Sequence, residues 1–257
     1  LTKKPVIIKV ANSGLKFDFY TMKKRRFGSY MLKYILRSNA RFIALSESIA
    51  KQLEQNGVSK SSIDIIPNGV KISPHANLKY TDPSIGFVGR LEEVKRPFIL
   101  IDLAKHFPKI QFHIFGDGSI KNCLKEKVAS IGIKNVIFHG EISNIDIIYN
   151  QLNLIVLPSL AEGMSNTLLE AVVRGIRCLV TDLPENRALF KECQSIVRYV
   201  NSDKEVNWRT SLNDLLTLSS ENIGKDSAIL KDYYNIESVA LSYVELYKCL
   251  INKPNKY

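Results

Sequence analysis

Read for apolar and polar spacing alone, the chain changes character near residue 80. From residue 85 onward, short uninterrupted apolar runs alternate with stretches of helical period. The runs predict strands over 85–88, 111–115, 136–139, 154–157, 178–181 and 195–200, with helices between them over 97–107, 120–131, 144–151, 166–174 and 185–190. Strands that are apolar throughout, rather than every second residue, are strands covered on both faces. Six of them alternating with helices predict an α/β fold with a doubly wound parallel sheet, whose ligand sits at the carboxyl ends of the strands. Gly89, Gly116, Gly140 and the loop from Pro158 to Gly163 all fall at those ends.

Before residue 80 the pattern is thinner. Strands are predicted over 6–10, 42–45 and 63–66, separated by helical stretches. Three strands make a poorly covered sheet, so this part reads as a partial domain that is truncated or borrows structure from elsewhere. Residues 73–84, with Pro74 and Pro83 and few large apolar side chains, read as a linker. Residues 235–250 form one long amphipathic pattern. The expected organisation is a partial domain over 1–80, a nucleotide-binding type of domain over 81–234, and a last helical segment over 235–257.

Composition sharpens this in two ways. No apolar run approaches the ~18 to 20 residues of a membrane span, and no signal-peptide pattern opens the chain. Four cysteines lie far apart without a C-x-x-C pair, which argues against a structural zinc site and for reduced thiols in the cytoplasm. Residue 1 is Leu rather than Met, so a fragment of a longer chain is expected. Charge is the second point. Residues 1–60 carry 13 Lys and Arg against 3 acids, a net of +10 in a chain whose total is +11. The centre of this charge is Lys23-Lys24-Arg25-Arg26, followed by Met31, Leu32, Tyr34, Ile35 and Leu36. A helix over 21–38 would be basic on one side and apolar on the other, and residues 21–41 could meet an anionic membrane surface. The same apolar side could equally cover a sheet. Aromatic motifs for RNA are absent, so nucleic acid is not an expected partner.

The stretch richest in chemistry runs from Pro158 to Ala171, directly after an apolar strand and into a helix that Gly175 would end. Glu162 and Glu170 stand eight positions apart, bracketing a loop and a helix start. A helix start offers N–H donors and a positive dipole end to a phosphate. Glu170 can alternatively close a capping box with Thr167, and Glu162 can be a solvated loop carboxylate. Arg90 and Lys95, after the first strand of the larger domain, can neutralise a departing diphosphate without a metal. As isolated surface cations they would be unremarked among 36 Lys and Arg. Histidines show no ligand spacing and there is no Asp-x-Asp motif, so no metal is expected.

These segments, in this order, resemble the retaining glycosyltransferases of family 4, which have the GT-B fold. Glu162 to Glu170 resembles the family's Glu-x-seven-Glu signature. Ile66-Pro67-Asn68-Gly69-Val70 is similar to its hinge. Phe87-Val88-Gly89-Arg90-Leu91 with Lys95 is similar to its diphosphate loop, although Arg96 stands where the family usually has Gly. Phe115-Gly116-Asp117-Gly118 and Phe138-His139-Gly140 are similar to its next two turns. The resemblance covers roughly residues 41 to 250. It implies a GT-B enzyme with a Rossmann-like C-terminal domain and a partial Rossmann-like N-terminal domain. That enzyme would move a hexose from a nucleoside-diphosphate sugar, UDP being the first expectation, to a glycan or lipid-linked acceptor in cell-surface polysaccharide or lipopolysaccharide synthesis.

By the same resemblance Arg90 and Lys95 stabilise the leaving group, Glu162 faces the transferred sugar, and Glu170 takes the ribose hydroxyls. Gly89, Gly116, Gly163, Met164, Ser165, Asn166 and Thr167 line the donor, and Glu141 and Ile142 hold the base. The His that many relatives carry after an N-domain strand is missing at Val10 to Gly14, so no catalytic residue is expected there. No cofactor beyond the sugar nucleotide is implied. The implied location is cytoplasmic, peripheral at the inner face of the membrane. Two alternatives stay open: a non-catalytic nucleotide-sugar-binding module, and a basic membrane-surface scaffold.

Overall fold

The computed structural model describes residues 5–12, 17–71, 83–190, 195–201, 204–217 and 223–252. The chain forms two compact units. The first comprises Leu1–Lys71, Glu162–Met164 and Asp232–Tyr257; the second comprises Ile72–Ala161 and Ser165–Lys231.

The chain opens with β1 (Ile7–Val10), α1 (Asp18–Lys23), α2 (Gly28–Arg37), β2 (Arg41–Ala44), α3 (Glu47–Gln55) and β3 (Ile63–Ile65). It continues through β4 (Ser84–Val88), α4 (Phe98–His106), β5 (Gln111–Phe115), α5 (Lys121–Ile131), β6 (Val136–Gly140) and α6 (Ile145–Tyr149). Next come β7 (Leu154–Leu157), α7 (Asn166–Val173), β8 (Arg177–Thr181), α8 (Pro184–Phe190), β9 (Val197–Val200) and α9 (Glu205–Thr217). It closes with α10 (Ile223–Tyr234) and α11 (Ile236–Asn252).

The second unit holds a six-stranded parallel sheet in the order β6-β5-β4-β7-β8-β9. Its strands match the predicted runs to within two residues; β4, β7 and β8 inside the sheet are buried along most of their length, whereas the edge strands β6 and β9 expose Ile137 and Arg198. Ile85, Phe87, Phe112, Ile114, Leu154 and Val156 pack against Leu100, Ile101 and Leu103 of α4 and against Trp208, Leu212 and Leu215 of α9. The sequence reading missed α9 and α10. In α9, Trp208, Leu212 and Leu215 carry the helical spacing, but they are diluted by ten other residues of mostly polar type.

In the first unit β1, β2 and β3 form a parallel sheet in that order. One buried cluster joins Ile43 and Ile66 to Val239 and Leu246 of α11, flanked by Ile7, Tyr243 and Leu250, and Phe19, Phe42, Ile49 and Leu53 are buried as well. The last helix therefore covers the first sheet. Its start is pinned by Val70, whose N–H donates to Tyr234 O at 2.7 Å and whose carbonyl accepts from Ile236 N at 3.1 Å.

The single helix predicted over 21–38 is two. Asp18 anchors α1 to the end of β1, accepting from Ala11 N at 2.8 Å and Asn12 Nδ2 at 2.7 Å. The backbone then folds back so closely that a Cβ on Gly28 would lie 1.7 Å from Met22 O. Only glycine can open α2 there, and the four consecutive cations fall at the break instead of along one helix face. Of the predicted linker, residues 73–82 lie outside the described residues. Ser84 is already strand, its N–H bonded to Asn153 Oδ1 at 2.8 Å.

Candidate functional site

The order of strands in the larger sheet reverses direction between β4 and β7, and ligands of such sheets lie beyond the carboxyl ends at that reversal. A pocket of about 400 Å³ opens there, lined by Val88, Gly89, Arg90, Phe115, Gly116, Asp117, Glu141, Ile142 and Ile148. That volume falls in the range that holds small-molecule ligands. Five of the residues singled out from sequence, Gly89, Arg90, Gly116, Glu141 and Ile142, meet in it.

The floor of this pocket is backbone. Gly89 N donates to Phe115 O at 3.0 Å, Leu91 N to Asp117 O at 2.8 Å, and Gly116 N to Gly140 O at 2.6 Å. The turns after β4, β5 and β6 are thus laced to one another. Gly116 has φ +130°, and a Cβ on it would sit 2.0 Å from Gly89 O. A side chain at 116 would force the two turns apart.

Charge is graded across the pocket in strand order. Arg90, after β4, has a side chain that is 73% exposed, and its guanidinium donates to Glu92 Oε1 at 2.8 Å. Asp117 follows β5, and hydrogen bonds from Lys121 and the Gly118 N–H hold its carboxyl below the usual range. Glu141 follows β6. An anionic ligand group is therefore favoured on the β4 side, and a neutral hydrogen-bonding group on the β6 side.

Lys95 ends a single turn of 3-10 helix, Glu93–Lys95, and is not among the pocket-lining residues. Arg96 follows it at φ +49° and ψ +47°, the left-handed region that Gly adopts without cost. The conformation is kept although the residue is Arg, and the side chain supplies a reason. Its Nε donates to Pro158 O at 2.6 Å and its Nη2 to Thr181 Oγ1 at 3.3 Å. Leu160 N donates to Val94 O at 2.8 Å, a second tie between the loops after β4 and β7.

The signature segment divides. Glu162, Gly163 and Met164 group with the first unit, whereas Ser165, Asn166, Thr167 and Glu170 belong to the second. Ser165 caps α7, its hydroxyl accepting from Leu168 N at 3.3 Å. Thr167 is therefore inside the helix, not at its cap, and the capping-box alternative for Glu170 does not hold. Glu170 lies five residues past the cap, where its Oε2 accepts from the Tyr149 hydroxyl at 2.7 Å. Burial, then the neighbouring Glu170 charge, raise the Tyr149 pKa well above 10, so the phenol stays a donor. Arg174, with a side chain only 3% exposed, donates to Glu170 O at 3.0 Å and to Asp146 Oδ1 at 3.0 Å, and lies 4.9 Å over the Tyr149 ring.

Behind the pocket, Phe115 stacks on His139 at 4.3 Å, and His139 Nε2 lies 2.9 Å from His113 Nδ1. Burial, and for His113 also the His139 charge, lower both imidazole pKa values. As neutral rings, one donates and the other accepts.

The sequence reading passed over Asp117, Tyr149 and Arg174. Asp117 carried the clearest signal, a carboxylate between two turn glycines. Tyr149 and Arg174 read as an apolar helix position and a helix end.

The chain is similar to several known proteins. O-antigen biosynthesis glycosyltransferase WbnH of Escherichia coli is 32% identical over 133 residues, which are 52% of this chain and 38% of that protein. The E. coli UDP-Gal:alpha-D-GlcNAc-diphosphoundecaprenol alpha-1,3-galactosyltransferase is 32% identical over 155 residues, covering 52% of this chain and 40% of that one. The matched stretches thus span well under half the length of these relatives. Among solved structures, Anabaena HepE in complex with UDP and glucose superposes with a TM-score of 0.79 at 17% identity, covering 95% of this chain and 71% of that chain. Staphylococcus aureus TarM superposes with a TM-score of 0.75 at 22% identity, covering 97% of this chain and 51% of that chain. The fold is accordingly the α/β GT-B type. Residues 11–73 match Glycosyltransferase Family 4, and residues 71–218, more than half of the chain, match Glycosyl transferases group 1, so the chain belongs to the group 1 glycosyltransferases.

Proposed function

We propose that the chain carries the donor-binding part of a retaining glycosyltransferase that moves a hexose from a nucleoside-diphosphate sugar, UDP first among nucleotides, to a glycan or lipid-linked acceptor in cell-surface polysaccharide synthesis. The observation that carries this is the backbone-floored pocket beyond β4, β5 and β6, with Arg90 at its cationic end. The relatives named above, one an O-antigen enzyme and one using UDP-Gal on a lipid-linked acceptor, support the substrate classes.

In this reading Arg90 exchanges Glu92 for the diphosphate, and Lys95 adds a second positive charge. The bond between the anomeric carbon and the diphosphate oxygen breaks on the face where the acceptor hydroxyl attacks. The acceptor oxygen bonds the anomeric carbon, and its proton passes to the departing phosphate oxygen. Cationic side chains stabilise that charge, so the step is proposed without a metal. Glu162 steadies the sugar as positive charge develops, Gly163 and Met164 follow it along the donor, and Glu170 takes the ribose.

The test is thermal stability against UDP-, GDP- and ADP-sugars, on the parent and on Arg90→Ala. One nucleotide stabilising the parent, and stabilising Arg90→Ala much less, supports the reading. Stabilisation by none leaves a scaffold role in front. Stabilisation without sugar transfer by the longest soluble form of the protein supports the non-catalytic binding module.

A second reading concerns a membrane surface, on the cytoplasmic side. Phe27, Tyr30, Met31 and Tyr34 recur at helical spacing along α2 and all face outward, Phe27 67% and Tyr30 77% exposed. Leu32 is the side chain that α2 buries. Lys23, Lys24, Arg25, Arg26, Lys33 and Arg37, all exposed, flank or intersperse that stripe in the sequence, with the Arg26 guanidinium 5.4 Å over the Phe27 ring. Among the described residues no helix is long and apolar enough to cross a membrane, so contact would be interfacial. Liposomes with and without anionic lipid test this, because Tyr30→Ser with Tyr34→Ser should release the protein from anionic vesicles only. Unchanged binding of that variant rejects the stripe.

A further inference from the structure

The proposed role of Glu170 needs more than a carboxylate in the right neighbourhood. A glutamate has three rotatable bonds, and one that roams gives up entropy each time it engages a diol. In the structure it does not roam. Its Oε2 is taken by the Tyr149 hydroxyl at 2.7 Å, and the Tyr149 ring is fully buried. The ring is itself held: the Arg174 guanidinium lies over it at 4.9 Å, fixed in turn to Asp146 and to the backbone of Glu170, one turn before it in α7. Tyr149 follows Ile148, which lines the ligand pocket, so the phenol links the pocket wall at the end of α6 to the acid on α7.

We propose that Tyr149 is a positioning residue that presents Glu170 to the ribose hydroxyls, occupying one carboxylate oxygen and leaving the other to accept from the diol. This rests on the reading that Glu170 takes the ribose. A phenol serves better than a cation here, because it fixes the carboxylate without neutralising it. An undiminished anion is the stronger acceptor for a hydroxyl. Held above its usual pKa by burial and by the Glu170 charge, the phenol keeps the donating role across the physiological range.

The property to measure is ribose preference: the ratio of dissociation constants for the 2′,3′-dideoxy and ribo forms of UDP, GDP and ADP. In the parent the ribo form of the recognised nucleotide should bind tighter. Tyr149→Phe keeps the ring and its stacking, and should reduce the preference roughly tenfold, the scale of one hydrogen bond to a charged group. The dideoxy form should bind Tyr149→Phe as it binds the parent. Glu170→Gln should abolish the preference. Glu170→Asp, which keeps the charge but withdraws it from the phenol, should behave like Tyr149→Phe, and it serves as the measurement if Tyr149→Phe does not fold.

Loss of preference in Glu170→Gln with full preference in Tyr149→Phe or Glu170→Asp overturns the positioning role and leaves the ribose reading standing. Equal weakening of ribo and dideoxy forms by Tyr149→Phe also overturns it, since that is the mark of a merely structural residue. Full preference in Glu170→Gln, or no ribose preference in the parent, overturns both.

Discussion

Two regions of the second unit are proposed to meet the same ligand, and they are built on opposite plans. The pocket after β4, β5 and β6 is made of main chain: three turns hydrogen-bonded to one another, with Gly116 pressed against Gly89. The acid on α7 is held by side chains, Tyr149 in front and Arg174 behind. A backbone-built surface has one shape and fails all at once when a side chain intrudes. A surface built from side chains can be weakened one hydrogen bond at a time, with the fold left in place. The first plan suits a group common to every donor, such as a diphosphate, and the second suits a group whose grip has to be tuned.

The sharpest way to break this comparison is Gly116→Val. A backbone at φ +130° costs a residue with a Cβ about 1–3 kcal/mol, and the clash with Gly89 O adds to it. The expected loss exceeds about 3 kcal/mol, beyond the usual effect of a point substitution. A melting curve of the unliganded protein checks this, and a melting temperature close to the parent's would remove the backbone-built description.

Glu170→Ala should lower that melting curve less than Gly116→Val does, by about 1 kcal/mol for the hydrogen bond lost by the buried Tyr149 hydroxyl, and should lose ligand response. A nucleotide at a hundred times its dissociation constant stabilises the parent by about 2.7 kcal/mol, and most of that shift should vanish. Melting temperatures with and without UDP-sugar report it.

The His113–His139 pair gives a smaller effect, with a definite sign. Folding lowers both pKa values below the ordinary 6.5. Above that value both rings are neutral in the folded and unfolded chain, and stability is full. As pH falls below it the unfolded chain takes up protons that the folded pair resists, so stability declines. Melting temperatures from pH 8 to pH 5 should fall more steeply in the parent than in His113→Gln with His139→Gln.

Arg96→Gly should change least, and it joins the two plans in one residue. Glycine relieves the left-handed backbone, while the bonds to Pro158 O and Thr181 are lost and the unfolded chain gains freedom. These offset to within about 1 kcal/mol by denaturant titration. A much larger loss would show that the side chain, not the backbone, holds this turn.

What the sequence disclosed follows from the same contrast. A fully buried parallel strand announces itself as an unbroken apolar run, so 154–157 agrees with the structure residue for residue; 111–115 agrees as well, although Gln111 and His113 interrupt its apolar pattern. Turn glycines are visible because few other residues survive at such positions, which is how the pocket's Gly89 and Gly116 could be read. The clamp was not legible. A buried Tyr and a buried Arg have the spacing of core and helix-end residues, and their partnership with Glu170 joins elements separated by more than twenty residues of chain. The break between α1 and α2 was missed for a related reason, because the approach of Gly28 to Met22 is a tertiary contact without periodicity. The α9 pattern was present but sparse, with Trp208 as its strongest mark.

The placement of α11 has a bearing on how the first unit assembles. Val239 and Leu246 close a cluster with Ile43 and Ile66, which lie far earlier in the sequence. Contacts so distant along a chain must close a long loop before they reward it. The pairing of β1, β2 and β3 and the packing of α3, with Ile49 and Leu53 buried, involve much shorter separations and can come first. Cleavage before residue 236 therefore uncovers apolar side chains on a sheet that the cut itself does not touch.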